Sequence, residues 1–392
     1  MKKMLFNYLK FWASGYLRRT KPEIIAVTGS VGKTSAKEAI FEVLKIKFGF
    51  EIRKSCGNLN NETGVPLAIL NFQKSPNNFL AWIGILFSAP VRSFGLKSAK
   101  VLVLELAADK PGDIKYLTSF VSPKIAVLTA IGPAHLTAFG TLDKVVEEKS
   151  DLLRALSADG WAVINLDNEL SRKVYYGGNY RKKSYAIGYE ADVSAENIKT
   201  EISNFQGRTQ FDLKIEGKKE TVVLPSLGNF TNVSAALAGA AVGQIYGLLL
   251  GDIARGLKNI RNEEHRINVL QGKNDTTIID DSYNANPLSM KAALDLLKTL
   301  PKVNRKIAVL GAMREIGHLS QEAHQEISQL AREIADLTVE VGSGKKYDLQ
   351  KNFKTTLAAA EFLLEESQPG DIILIKASRA VGLDKIVERL RV

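Results

Sequence analysis

The sequence predicts an α/β protein in two units, each a mostly parallel sheet covered by helices. Three observations carry this expectation. Short apolar runs of β character alternate with helical stretches along most of the chain. One of these runs, Ile24-Ile25-Ala26-Val27, passes through a glycine turn into a helix-like stretch. The 392 residues, 45% hydrophobic and 24% charged, suffice for two or three globular domains with cores of normal size.

The elements follow in order. Residues 1–22 carry Lys2, Lys3, Lys10, Arg18, Arg19 and Lys21 without an acid, and Leu5, Tyr8, Leu9, Trp12 and Tyr16 fall at helical spacing. Such a basic amphipathic helix can lie on a membrane surface or pack on the domain that follows. Its cations are spread along the segment and no long apolar run precedes a cleavage site, so it does not read as a signal peptide. Strand-like runs come at Ile24–Thr28, Val101–Leu106, Ile125–Thr129 and Trp161–Asn165. Phe79–Ala89 is strongly apolar but too short to span a bilayer, and reads as a buried or surface-docked helix. Asp192–Leu224 reads as antiparallel strands with turns, a small β excursion inside the first large unit. An alanine-rich helix after Val233 and a second over roughly Leu249–Ile260 lead to His265-Arg266. Further runs at Thr277–Asp281, Lys306–Leu310, Leu337–Val341 and Asp371–Lys376 build the second unit. The expected domains are an N-terminal helix over 1–22, a central domain over 23–263 and a C-terminal α/β domain over 264–392.

The single cysteine, Cys56, excludes an internal disulfide framework and a cysteine-rich zinc site. It fits a reducing cytosol. The net charge of +11 suits nucleic acid, an anionic membrane or anionic small molecules. No nucleic-acid-binding signature appears, and anionic substrates plus the basic N-terminus account for the charge.

Val27–Ser35 reads V-T-G-S-V-G-K-T-S. A strand, a glycine turn and a helix N-terminus form a cradle for nucleotide phosphates. Thr28, Gly29, Ser30, Val31 and Gly32 would line it, Lys33 would reach the terminal phosphates, and the Thr34 hydroxyl would bind Mg²⁺. The general pattern G-x-x-x-x-G-K-[ST] needs glycine where Val27 stands; the tighter T-G-x-x-G-K-T fits. The first unit is thus expected to be a P-loop domain. An ordinary glycine turn is the competing reading, disfavoured by Gly29, Gly32, Lys33 and Thr34 occurring together after a buried-strand run.

Glu105 ends V-L-V-L-E-L, and carboxyl ends of parallel strands are where ligands bind in open α/β sheets. Beside a P-loop it is a candidate Mg²⁺ ligand. His135, just past another strand, is a candidate metal or phosphate contact. Lys149 in V-V-E-E-K-S-D-L-L, taken alone, reads as an exposed helix lysine. Asp280–Pro287 is either a ligand-facing loop or a plain strand-to-helix connection. Arg379 follows the last strand and could grip a carboxylate with two bonds or merely begin a solvated helix. Nucleotide, Mg²⁺ and anion-binding groups on two domains point to ATP-dependent transfer. No Ser-His-Asp or Cys-His arrangement is evident, and phosphoryl transfer requires none.

These motifs resemble the Mur ligases, in particular the branch that joins D-alanyl-D-alanine to a muramoyl tripeptide. The resemblance rests on T-G-S-V-G-K-T, G-N-L-N-N-E-T-G-V-P-L, E-L-A-A-D-K-P-G-D-I, A-I-G-P-A-H-L and E-K-S-D, followed by D-D-S-Y-N-A-N-P-L-S-M, V-L-G-A-M-R-E-I-G and I-K-A-S-R. It runs from about residue 23 to the end. It implies a Rossmann-like C-terminal domain and a cytoplasmic ligase that phosphorylates a substrate carboxylate with ATP. An incoming amine then attacks the acyl phosphate, leaving an amide, ADP and phosphate. It further implies that Lys33 and Thr34 hold phosphate and the first Mg²⁺, that Glu105 and His135 serve the metal sites, and that Lys149 is the family's carbamylated lysine. Asn165, with Asp167, and Asn232 would lie on the nucleotide side. Arg266, Asp281, Asn284 and Asn286 would close over ATP. Asn60 and Asn61 would face the acid substrate and Arg379 the incoming dipeptide.

Several positions depart from the family pattern. G-N-F-T-N at Gly228–Asn232 lacks the usual histidine, Ala312 stands where an acid is usual, and Ala377 replaces a glycine. Only 22 residues precede Glu23, too few for the domain that holds the UDP-sugar in relatives. The expectation is that the N-terminal helix with residues 72–100, or a partner, supplies that surface. Two alternatives stand beside this: a Mur-like ligase for another acid, peripheral to the membrane through residues 1–20, and a nucleotide-binding scaffold. An amidating variant is disfavoured because its zinc-binding cysteines are missing.

Overall fold

The computed structural model describes residues 2–228, 230–301, 303–342, 344 and 346–392, without the side chains of Lys2 and Lys3. Asn229 in the Gly228–Asn232 segment lies outside the described residues. The nine strands of the first sheet are β1 (Glu23–Thr28), β2 (Ile52–Lys54), β3 (Val101–Glu105), β4 (Ile125–Leu128), β5 (Trp161–Asn165), β6 (Arg181–Ala186), β7 (Val193–Ser203), β8 (Gln206–Ile215) and β9 (Lys218–Leu224). They lie in the order β2-β3-β1-β4-β5-β6-β7-β8-β9. Pairing is parallel from β2 to β7 and antiparallel across β7-β8-β9. The predicted antiparallel segment is therefore present. It extends the main sheet through the β6–β7 pairing instead of forming a separate excursion.

β1, β3 and β4 are covered on both faces, which is why they read as unbroken apolar runs. Ile25 and Val27 face the helices Lys33–Phe48, Phe230–Ile245 and Leu250–Leu257; Ile24 and Ala26 face the opposite layer. The alanine-rich helix begins at Phe230, a turn before Val233, and packs closely on the helix after the cradle. A side chain at Gly239 would come within 2.9 Å of the Ala39 backbone. The N-terminal helix Lys2–Thr20 docks through Leu9, Ala13 and Tyr16, one stripe at i, i+4 and i+7. The apolar helix predicted over Phe79–Ala89 runs from Phe79 to Gly95 and is only half-covered.

The second sheet holds β10 (Asn268–Gly272), β11 (Thr276–Asp281), β12 (Lys306–Gly311), β13 (Leu337–Val341), β14 (Lys351–Phe353) and β15 (Ile372–Lys376), in the order β10-β11-β15-β12-β13-β14. Every pairing is parallel except β10 with β11. Asp281 pairs in register with Lys376, so both sit at carboxyl ends of neighbouring strands. These ends face those of β1 and β3, and the site lies between the two sheets.

Candidate active site

β1 lies between β3 and β4, and the loop that leaves it crosses the carboxyl edge of all three. Gly29 and Gly32 have φ of 150° and 85°. A Cβ at Gly29 would lie 2.0 Å from the Thr129 hydroxyl, so the turn can close only on glycine. Lys33 folds back to donate to the Gly29 carbonyl at 2.8 Å. Burial pushes its ammonium below the ordinary lysine range, opposed by the Glu105 carboxylate.

Thr34 lies in the first turn of the helix that begins at Lys33, and its hydroxyl donates to Glu105 Oε2 at 2.9 Å; Asn60 Nδ2 donates to Oε1 at 2.9 Å. Burial alone would raise the Glu105 carboxyl, but Lys37 and Lys33 hold it below the usual carboxylate range. Thr34 and Glu105 are hard oxygen donors beside the phosphate cradle. They fit Mg²⁺, which takes one or two protein oxygens and completes its shell with phosphate and water. Among the described residues no three His, Cys, Asp or Glu side chains converge into a ready-made metal cage.

A cavity of about 340 Å³ opens above this pair. Ser30, Val31, Gly32, Lys33, Thr34 and Glu105 line it from the first sheet, with Asn60, Asn61, His135 and Asn232. Arg266, Asp281, Asn284 and Asn286 line it from the second unit. Most predicted site residues thus share one space. Thr28 does not reach it: the side chain is buried and donates to the Leu106 carbonyl at 2.8 Å. Gly29 shapes the turn beneath the cavity without lining it. Asn286 lines the wall while its side chain caps the helix Pro287–Thr299 by accepting from Ser289 N. Asp281 is bound to Lys376 at 2.5 Å; burial pushes its carboxyl up and Lys376 opposes this.

Asn165 lies in an adjoining pocket of about 170 Å³ with Asp167, Asn168, Tyr185 and Phe230. Its Nδ2 donates to Ser234 Oγ at 3.2 Å and its Oδ1 accepts from Asp167 N at 2.9 Å. Apolar walls with a few fixed amides suit a planar base next to the phosphate cradle. Arg379 lies in a third cavity, of about 800 Å³, on the far side of Tyr283. Tyr283 borders both large cavities, and Arg266 and Arg379 stand over its ring at 4.2 and 5.2 Å.

Lys149 corrects the reading of that residue as exposed. Its helix, Leu142–Arg154, buries Val145, Glu148, Lys149, Leu152 and Leu153, an inward stripe that carries the lysine with it. Burial and repulsion from Lys33 push its ammonium down to about 7. At neutral pH much of it is the free amine, the form that adds to an electrophile such as CO₂. Glu148 beside it accepts from the amides of Gly112 and Ile114 at 2.7 Å each.

Other functional candidates escape a linear reading. Lys37 is fully buried among Glu38, Glu105 and Glu263, at 3.5, 4.0 and 3.3 Å. Its spacing one helical turn after Lys33 was the available signal. Asp109 and Glu315 flank the His135 ring, at 3.6 Å from Nε2 and 2.7 Å from Nδ1. Nothing local in the sequence marks Glu315 as a partner of His135.

A phosphate cradle on a parallel sheet, an oxygen pair fit for Mg²⁺ and a second α/β unit closing the cavity define a nucleotide-dependent transfer enzyme. Residues 27–243 match the Mur ligase middle domain and residues 265–379 the Mur ligase glutamate ligase domain. The chain belongs to the Mur ligase family and is an ATP-dependent, ADP-forming ligase. It is 30% identical over 390 residues to the UDP-N-acetylmuramoyl-tripeptide–D-alanyl-D-alanine ligase of Bacillus subtilis, covering 96% of this chain and 78% of that protein. The Escherichia coli ligase of the same name is 28% identical over 399 residues, covering 99% and 80%. The Thermotoga maritima MurF ligase, solved in complex with ADP, superposes with a TM-score of 0.83 at 27% identity, covering 98% of this chain and 83% of that one. MurF from Acinetobacter baumannii gives a TM-score of 0.81 at 28% identity, covering 97% and 79%.

Proposed function

We propose that this protein joins D-alanyl-D-alanine to UDP-N-acetylmuramoyl-tripeptide in the cytoplasm, as a step in peptidoglycan precursor synthesis. The observation that carries the reading is the Thr34–Glu105 pair beside the Gly29–Thr34 cradle, in a cavity walled by both units. The substrate carboxylate attacks the γ-phosphorus of ATP and releases ADP. The dipeptide amine attacks the acyl phosphate, and phosphate leaves as the amide forms. Bound Mg²⁺ supplies charge neutralisation for the phosphates. Lys33 stabilises charge on the transferred group, and Thr34 and Glu105 hold the metal. Lys149, carboxylated by CO₂ with loss of a proton, and His135 support a second metal position.

Asn165 and Asn232 serve the nucleotide side. Arg266, Asp281, Asn284 and Asn286 close the site from residues 264–392. Asn60 and Asn61 meet the acid, and Arg379 holds the dipeptide carboxylate. The division at residues 263 and 264 separates the two sheets. The reading includes contact of residues 1–20 with the inner face of the membrane and a partner that completes the acid-binding surface. Among the described residues no helix is long and apolar enough to cross a membrane.

Phosphate release from ATP, measured with each substrate alone and with both, tests the reaction. Release only with both is expected. ATP binding without release under that condition sinks the substrate assignment and favours another acid or a scaffold.

A further inference from the structure

The helices Lys2–Thr20 and Phe79–Gly95 lie side by side. Ser93 Oγ donates to the Trp12 carbonyl at 2.8 Å, and Tyr8 Oη donates to the Leu86 carbonyl at 2.6 Å, which fixes the pair. Their inner faces are accounted for by Leu9, Ala13, Tyr16, Ile85 and Ala89, all buried. The outer faces are not. Leu80, Phe87, Val91 and Phe94 follow one another at helical spacing and are 77%, 78%, 70% and 71% exposed. Met4 and Phe11 continue the patch on the first helix. The Phe11 ring meets Trp12 at 5.0 Å and Trp12 meets Phe94 at 6.0 Å, so the two rows make one surface. A large contiguous apolar patch of this kind marks an interaction site.

The charge around the patch identifies what it meets. Residues 1–22 contain six Lys or Arg and residues 63–104 contain four, with no Asp or Glu in either stretch. Arg19 and Arg92 are spent on backbone carbonyls at the seam. Arg18, Lys21, Lys74 and Lys97 are exposed and make no ion pair among the described residues. Apolar rows set among unpaired cations match an anionic bilayer, where rings enter the headgroup boundary and cations meet lipid phosphate. A second copy fits poorly, because it would press two acid-free cationic faces together.

We propose that this two-helix face docks the protein on an anionic lipid bilayer, with Leu80, Phe87, Val91 and Phe94 as the inserting row. It extends the membrane contact proposed for residues 1–20 but rests on a different element, the helix Phe79–Gly95. The face also lies close to the acid-binding side of the cavity. The N-terminal helix packs on the helix Gly64–Ile69, which follows directly from the loop holding Asn60 and Asn61.

Flotation of the full chain with vesicles tests the proposal, comparing phosphatidylcholine alone with phosphatidylcholine mixed with phosphatidylglycerol. Binding to the mixed vesicles, weakened by salt, is expected. The double variant Phe87→Ser/Val91→Ser should partition about tenfold less, with an unchanged thermal midpoint. No flotation on the mixed vesicles, equal flotation on phosphatidylcholine alone, or full binding by that variant overturns the proposal. If Met4→Ser/Phe11→Ser releases the protein and Phe87→Ser/Val91→Ser does not, the contact of residues 1–20 stands and the assignment to the second helix falls. A vesicle-free dimer dispersed by Phe87→Ser identifies a second copy as the occupant and equally overturns it.

Discussion

Three lysines, the half-buried Lys33 and the buried Lys37 and Lys149, lie around the phosphate cradle, and their environments separate their behaviour. Lys33 is the cation at the cradle itself; Lys33→Ala is expected to lower phosphate release by about three orders of magnitude, and an unchanged rate would refute the assignment. Lys37 sits among three carboxylates that outweigh the burial acting against its charge, so it stays protonated. Lys37→Met removes the cation that neutralises the buried Glu105 and the part-exposed Glu263, which should cost about 3 kcal/mol in urea unfolding. Lys149 behaves oppositely. Its folded form loses the proton near pH 7 while an unfolded lysine keeps it to about 10.5. Between these values the unfolded chain binds more protons, so this lysine's contribution makes stability rise with pH from about 7 towards 10. Urea midpoints in CO₂-free buffer should show that rise, and Lys149→Met should flatten it. A rise that persists in the variant would assign it to other groups.

Turns and caps bring these side chains to one place, and they fail in characteristic ways. At Gly29 an added Cβ collides with the Thr129 hydroxyl at 2.0 Å, so Gly29→Ala should displace the loop and abolish nucleotide protection against heat. Asn286 and Ser289 form a capping box on the helix that begins at Pro287. Asn286→Ala should cost about 1 kcal/mol through the cap alone, and a change in ATP affinity beyond that loss would show a separate contact with nucleotide. The cradle was legible because strand, glycines and Lys-Thr are contiguous, and because buried parallel strands write their burial as apolar runs. β2 and β14, three residues each, carry too little pattern to be read, and the edge position of β10 dilutes its apolar character. Lys149 was misread as exposed because composition assigns lysine to water, whereas tertiary packing turned its helix face inward. Lys37 with Glu263, and His135 with Glu315, are pairs made by the fold across long stretches of chain, and no local spacing encodes them.

At the scale of the whole molecule the site is a seam between two sheets. Leu227 and Ile202 pack into the core beneath the second sheet, Leu288 presses on Gly132, and Asn262 bridges the Leu227 and Ile267 carbonyls across the junction. The tip of the second unit reaches back at Glu315, whose backbone has φ of 65° and whose carboxylate lies 2.7 Å from His135 Nδ1. Gly317 nearby is also at positive φ, and a Cβ added there would lie 3.5 Å from Leu136. This latch ties the second unit to His135, which lines one wall of the cavity. Because the latch joins half-exposed groups, its loss should shift the balance between open and closed forms rather than unfold the protein. Glu315→Ala is therefore expected to leave the thermal midpoint nearly unchanged. It should also lower turnover about fivefold at saturating ATP, because closure completes the site from both units. Small-angle scattering with a non-hydrolysable ATP analogue should then show a larger radius of gyration for the variant than for the parent. Equal radii with reduced turnover would place Glu315 in direct support of His135 instead of in domain closure.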